Sequence, residues 1–350
     1  MRRYWSEFCA ALAADMRGFA WEGPRLRRAV VTGIACALAV LAAMALDLDN
    51  PMWSGMTAFT VTQASAAATT IKGLLRALGT IAGAFAAAVA IGFIAGSHLE
   101  LAIALFAGVG YGLYRSYLSR YYYAWLLGAI TVGLVVMTTM AAPDTGLHTA
   151  GYRAAEIVLG VIVAWLTANL LLPEATDPGK DRALIAGPAL HSRRAAARAA
   201  AEAAVAIVAV VLLYDWFDLP GFGSAAVSMT RIADPDPKVG HRRAFLRAIG
   251  CSVGAAAGLG AVGLGIDALA GLLPAIFLAC AFFAYVFAGP PASAYAGMQA
   301  GFAFLIAFVE GGGPARTLDP AIDRLAGIFL AVAVFWLVDA LIGPRADEER

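Results

Sequence analysis

Charge is what this chain has least of. Lys, Arg, Asp and Glu make up 14% of its 350 residues, against about 25% in a soluble domain. A water-soluble globule of this length needs a charged skin over its core, and this chain cannot supply one. The net charge of +1 gives no basic field, so nucleic acid is excluded as a partner. Cysteine is scarce too. Cys9, Cys36, Cys251 and Cys280 are far apart with no CxxC, which excludes a disulfide framework and a zinc site. His98, His148, His191 and His241 show no HxxxH spacing, so no metal is expected. A phosphate-binding GxxxxGK[ST] loop is missing, since Gly179-Lys180 runs into Asp181. No nucleophile elbow or other catalytic pattern occurs either. The expectation is a protein that is not an enzyme and carries no cofactor.

What the chain has is long apolar runs. Residues 26–46, 74–95, 123–142 and 157–172 hold almost no charge, and each approaches the ~20 residues that cross hydrocarbon as a helix. They are continuous and rich in Ala, Leu, Val and Gly, without the alternation of a membrane strand. Spans are predicted at 29–46, 51–68, 74–96, 99–116, 122–141, 152–172, 199–214, 219–233, 248–266, 270–289, 292–309 and 324–342. The fold class is therefore an all-α integral membrane protein with about twelve transmembrane helices. Residues 1–28 form an amphipathic arm, with Trp5, Phe8, Leu12, Met16 and Phe19 at helical spacing among arginines. The arm does not read as a cleavable signal peptide, because its apolar run starts late and lacks a cleavage site.

A fixed offset of 171 residues superposes the two halves without a gap. Arg27 falls on Arg198, Asp47 on Asp218, Arg76 on Arg247, and Gly79 and Gly83 on Gly250 and Gly254. Tyr114 falls on Tyr285, Arg153 on Arg324, Trp165 on Trp336 and Pro173 on Pro344. Alanine and leucine match by chance in such sequences, but Arg, Trp, Asp and Pro at one offset do not. The reading is two parallel six-helix repeats, 29–173 and 199–344, joined by a polar linker at 174–198 and followed by a tail at 345–350. Twelve crossings place every Lys and Arg except Arg153, Arg316 and Arg324 on one side. The side with the basic excess is the cytoplasm, so both termini are expected there.

The second span of each half is short and polar. It carries Trp53, Thr57, Thr60 and Gln63 in one half, and Ser224, Ser228 and Arg231 in the other. Spacing of i, i+4, i+7 places Trp53, Thr57 and Thr60 on one helix face, and Ser224, Ser228 and Arg231 on another. Short, Gly- or Pro-interrupted segments at matching places in two halves point to a substrate site. The alternative is that the hydroxyls glue helices together and Arg231 snorkels to the interface. Arg76, Gly79 and Gly83, with Arg247, Gly250 and Gly254, read as structural: arginines at the cytoplasmic edge, and glycines that let helices approach. Arg153 with Glu156, and Arg324 with Asp323, are candidate coupling pairs, or else static pairs at the outer surface. Tyr111, Tyr114, Tyr117, Tyr121, Tyr122, Tyr123 and Trp125 read as an interfacial belt rather than a vestibule.

The polar span opening Pro51-Met52-Trp53, the Arg76-Ala-Leu-Gly79-Thr-Ile-Ala-Gly83 run and the Arg153-led closing span resemble the fusaric acid resistance and aromatic acid exporter family. Residues 198–344 repeat the pattern more loosely. The resemblance implies a bacterial inner-membrane secondary transporter that exports small organic acids, aromatic ones among them, by proton-coupled alternating access. It implies the lipid bilayer, an organic-anion substrate and a periplasmic adaptor protein as partners, and leaves a homo-oligomer open. Plant malate channels are distant relatives, so an organic-anion channel or a subunit of an efflux assembly stands as the alternative. Larger members carry a sizeable cytoplasmic domain between the halves, where this chain has only 174–198. An even span count predicts that a reporter fused after residue 350 reports from the cytoplasm. A periplasmic signal from that fusion would overturn the count.

Overall fold

A computed structural model describes residues 2–18, 22–92, 98–141, 145–174, 191–217, 219, 222–266 and 268–342. Asp218, Pro220, Pro344, most of the 174–198 linker and the 345–350 tail lie outside the described residues. The protein is an all-α integral membrane protein. The first seven helices are α1 (Arg2–Arg17), α2 (Pro24–Ala45), α3 (Met52–Val61), α4 (Ala66–Ile91), α5 (His98–Leu118), α6 (Tyr122–Ala141) and α7 (Gly146–Leu171). After them come α8 (Arg193–Phe217), α9 (Phe222–Ile232), α10 (Pro237–Gly263), α11 (Leu269–Phe287), α12 (Pro291–Phe308) and α13 (Asp319–Ile342). A small antiparallel hairpin, β1 (Val309–Glu310) and β2 (Gly313–Pro314), turns on Gly311, whose φ is +50°. Among the described residues, eight helices are long and apolar enough to cross a bilayer.

Two expected spans differ. Residues 51–68 and 219–233 are not continuous helices. They hold the 10-residue α3 and the 11-residue α9, each about 15 Å long at 1.5 Å per residue. That is half the ~30 Å of hydrocarbon. The helices after them start earlier than expected, at 66 and 237 rather than 74 and 248. Caps decide those starts. The Ser65 hydroxyl accepts the Ala68 N–H at 3.1 Å, and the Asp236 carboxylate accepts the Lys238 N–H at 2.9 Å with Pro237 at the first helical position. Ser65 and Asp236 are themselves 171 residues apart.

The chain forms two compact units. The first comprises 1–77, 152–185 and 245–321, and the second 78–151, 186–244 and 322–350. Each therefore combines elements of both sequence halves. Shifting 29–77 and 152–172 forward by 171, and 245–321 back by 171, lands almost wholly on the second unit.

In the first unit α11 packs against α2 and α12, and α3 lies against α2 and α12. Its core holds Phe59 stacked on Phe287 and edge-on to Phe302, both at 6.0 Å. Gly301 makes room for Phe59, since a Cβ there would come within 2.6 Å of the ring. The amphipathic α1 also packs here. Tyr4 and Trp5 meet Phe245, and Asp15 pairs with Arg25, whose guanidinium covers the Tyr285 ring at 3.8 Å. In the second unit α5 lies between α6 and α8, and α9 packs on α6 and α8.

The predicted glycine faces are close-approach surfaces. A Cβ on Gly83 would lie 2.6 Å from the Gly128 carbonyl, and Gly79 faces the Ala124 carbonyl in the same way. In the first unit Gly250 and Gly254 face the Ala296 and Ala300 carbonyls. The partner helices are therefore related by an offset of 172, one more than the glycines. Gly254→Ala should push α10 off α12 and cost about 1–3 kcal/mol. Gly260→Ala, with open space around it, should be neutral or stabilising by up to about 1 kcal/mol. Thermal unfolding of the two variants in detergent checks the pair, and equal melting temperatures would refute the close approach.

Candidate functional site

The site in the first unit starts from the break after α3. A bilayer offers no water to backbone groups, so a helix that ends inside it must have its polar ends satisfied by protein. Thr62 turns extended, with ψ of 117°. Its hydroxyl donates back to the Ala58 carbonyl at 2.8 Å. The Gln63 amide donates to the Thr60 and Thr62 carbonyls at 3.1 and 2.9 Å, while the Gln63 N–H is taken by the Thr69 hydroxyl at 2.9 Å. The extended stretch then meets the end of α7, where Pro173 and Glu174 carbonyls accept the Ala66 and Ala67 N–H groups at 3.0 Å. Helix α3 and its extended tail together run alongside α7 from Glu156 to Pro173.

Contact between α3 and α7 is made by Gly160. A Cβ there would lie 2.5 Å from the Ser54 carbonyl and 2.7 Å from the Thr57 Cβ. This approach brings Arg153 and Glu156 of α7 against α3. The Arg153 guanidinium sits 3.9 Å over the Trp53 ring, a buried cation–π contact worth about 2 kcal/mol. Arg153 is only 5% exposed, and its Nε and Nη1 are buried with no hydrogen-bond partner. Glu156, 1% exposed, accepts the Asn50 N–H at 2.7 Å, and its backbone carbonyl takes the Ser54 hydroxyl at 2.8 Å. Arg76 reaches in from α4 and donates from Nε to the Thr57 hydroxyl at 3.1 Å. Both Arg76 and Glu156 lie within electrostatic reach of Arg153.

The matched arginines are buried within the first unit. Arg76 and Arg247 each lie about 15 Å along their helices and are buried. Hydropathy places the starts at 74 and 248, whereas the caps at Ser65 and Asp236 place them about two and three turns earlier. Arg247 donates from Nη1 to the Gln299 side-chain oxygen at 2.7 Å, with the Cys251 sulfur 3.7 Å from the same oxygen.

The predicted trio on α3 divides its roles. Trp53 covers Arg153, Thr57 holds Arg76, and the Thr60 hydroxyl donates to its own helix at Met56. Gln63 serves the break. Ser224, Ser228 and Arg231 belong to the second unit, where the Ser228 hydroxyl donates to the Ser224 carbonyl at 2.6 Å and Arg231 lies within electrostatic reach of Tyr122. Arg324 is buried, while its neighbour Asp323 is exposed near Tyr214. The sequence reading missed Asn50, Ser54 and Gly160. A glycine inside Leu159-Gly160-Val161 gives no signal of what it faces, and Asn50 acts through its backbone.

The arrangement is a buried guanidinium with two open donors, an indole on its face and a second arginine nearby. Chemically it suits an organic anion, whose carboxylate would pair with Arg153 beside the Trp53 ring.

Residues 26–206 match the fusaric acid resistance protein family, and residues 198–338 match a family described as fusaric acid resistance protein-like. Similar curated proteins include p-hydroxybenzoic acid efflux pump subunits AaeB. That of Musicola paradisiaca is 27% identical over 172 residues, covering 46% of this chain and 26% of the relative. The Edwardsiella ictaluri protein is 30% identical over 169 residues, with 45% and 26% covered, and the Escherichia coli K12 protein 28% over 177 residues, with 47% and 27%. The matched stretch thus spans about a quarter of each relative's length. No solved structure matches.

The hydrogen bonds of Gln63 predict a structural cost for its loss. Gln63→Leu strips the Thr60 and Thr62 carbonyls of their donor and should destabilise the protein by about 1–3 kcal/mol, read as a lower melting temperature. An unchanged melting temperature would return Gln63 to a ligand-only role.

Proposed function

This chain belongs to the fusaric acid resistance protein family, and on that premise we propose that it is an inner-membrane secondary transporter that exports small organic acids, aromatic acids among them. The observation that carries this reading is Arg153. A buried guanidinium with unsatisfied donors inside a membrane is costly, and intramembrane ionisable groups mark substrate paths by default. A carboxylate bound there neutralises the charge and takes up the open N–H groups. Trp53 lies against the same guanidinium, so an aromatic acid bound there would meet an aromatic ring as well as a charge. The names of the AaeB relatives, pump subunits for p-hydroxybenzoic acid, favour the same substrate class.

The finer picture follows the sequence repeat. The proposed repeats, 29–173 and 199–344, place both termini in the cytoplasm and run the two short helices α3 and α9 in the same direction. Alternating access would then present Trp53, Thr57 and Thr60 with Arg153 in one repeat, and the matching Ser224, Ser228 and Arg231 in the other, to each side in turn. Export would be driven by proton entry, with a periplasmic adaptor continuing the path outward, as the word subunit in the relatives' name suggests.

The test is efflux of a panel of aromatic and aliphatic carboxylic acids from cells expressing this chain, with and without a protonophore. Protonophore-sensitive efflux of one class is expected. Efflux that only follows the anion gradient would favour a channel, and no movement of any acid would remove the transporter reading. Within that assay Arg153→Gln should cut efflux of the preferred acid at least tenfold, while Arg153→Lys, which keeps the charge, should retain more of it. Equal efflux by wild type and Arg153→Gln would overturn the assigned role.

A further inference from the structure

The second unit contains a cluster of titratable groups that the binding site does not use. On α8, Arg198 faces Glu202, with Nε and Oε1 3.4 Å apart, and Glu202 is 7% exposed with Oε1 lacking any hydrogen bond. The Asp339 carboxylate of α13 lies within electrostatic reach of Glu202 and bonds His241 of α10 at 2.9 Å. His241 is half-exposed and packs edge-on to Phe335. In the break before α10, Asp234 pairs with Arg243 at 2.7 Å and accepts the Asp236 N–H. From α5, Tyr117 donates to the Ala233 carbonyl at 2.9 Å and meets the His191 ring edge-on.

The first unit shows what this place in the fold needs for packing alone. Stepping back 171 residues from Glu202, Asp339 and His241 gives Val31, Ala168 and Thr70. Val31 and Ala168 are buried together with Leu172 in an apolar cluster, and the Thr70 hydroxyl is spent on its own helix at Ala66. Apolar side chains therefore fill the position well. Two carboxylates and a histidine in the same place cost desolvation that packing does not demand.

We infer that Glu202, with Asp339 and His241, is the site where this protein takes up and releases the coupling proton. Two carboxylates close together with one nearby arginine leave room for one more positive charge. The proton comes from the bath through half-exposed His241 and its Asp339 partner. It goes to Glu202, where the carboxylate becomes a neutral carboxylic acid. Arg198 carries the consequence. It is held by Glu202 on one side, and its Nη2 donates to the Pro235 carbonyl at 3.3 Å on the other. Protonation removes the first hold, so the break between α9 and α10 changes its tether. Helix α9 carries Ser224, Ser228 and Arg231, and this links proton state to the second half of the proposed substrate path. The use of the proton rests on the transporter reading, but its binding at Glu202 does not.

Two measurements separate those claims. Infrared difference spectra of the protein in liposomes between pH 8 and pH 5 should show a protonated carboxyl band that disappears in Glu202→Gln. A band unchanged in that variant overturns the site, whatever the protein transports. The second measurement uses p-hydroxybenzoate as probe. Wild type should accumulate it against its gradient when a pH difference is imposed. Glu202→Gln should lose at least tenfold of that accumulation while exchanging labelled for unlabelled acid at a rate within about twofold of wild type. A Glu202→Val, Asp339→Ala double variant, which copies the apolar filling of the first unit, should fold and behave the same way. Accumulation retained in both variants overturns the inference. A titrating band at Glu202 without transport of any acid would leave the proton site standing and remove the transporter reading instead.

Discussion

Everything distinctive in this protein follows from having no water to give its backbone. A helix that crosses the bilayer closes its own hydrogen bonds, but α3 and α9 stop halfway. Each break strands carbonyls on one helix and N–H groups on the next. The first break is served by uncharged groups: Thr62, Gln63, Ser65 and Thr69, together with the Pro173 and Glu174 carbonyls at the end of α7. The second uses carboxylates, with Asp234 and Asp236 accepting N–H groups. Those carboxylates then need cations, and Arg243 supplies one. The choice of cap at a break therefore decides how much charge surrounds it.

Broken helices also make room for buried arginine. Arg153 lies beside α3 where Gly160 lets the backbones approach, and Trp53 gives the guanidinium a face to rest on. Arg76 finds an oxygen in Thr57, while Arg247 finds one in Gln299 on α12. The matched arginines thus use different helices for their partners. Under the 172-residue relation of the glycine contacts, Gln299 corresponds to Leu127, which is buried and has no polar atom to offer. One half of the sequence fixes its arginine through the short helix, and the other through a later one.

Much of this was legible in the sequence, and the failures share a cause. Apolar runs mark the long helices, and the four-residue spacing of Gly79 with Gly83, and of Gly250 with Gly254, marks faces where helices approach. Gln63 stands among the ligand candidates of 51–68, yet its side chain is spent on the Thr60 and Thr62 carbonyls, as the Thr60 hydroxyl is on Met56. Composition cannot separate a hydroxyl that caps from one that binds, because the two uses need the same atoms. Helix starts were misplaced for a related reason. Lys72, Arg76 and Arg247 looked like the end of hydrocarbon, whereas Ser65 and Asp236 carry the capping geometry that sets the start. Long-range pairings such as Arg153 with Trp53, or Glu156 with Asn50, leave no periodic trace at all.

The differences between matched positions carry more functional information than the matches. Positions kept in both halves, such as the contact glycines and the buried Arg76 and Arg247, serve the packing of both. Where the halves diverge, the scaffold has been satisfied by one side chain and the other is free to do something else. Val31 shows that the Glu202 position packs without charge, and Ala168 shows the same for Asp339. Glu156 runs the comparison the other way: its counterpart is Gly327, so the carboxylate beside Arg153 belongs to one half alone. In the proposed transporter such divergence lets substrate and proton each be bound by chemistry that the other does not satisfy. The carboxylate beside Arg153, and Glu202 beside Arg198, occupy different positions in the repeat, so the scaffold that the halves share requires neither of them.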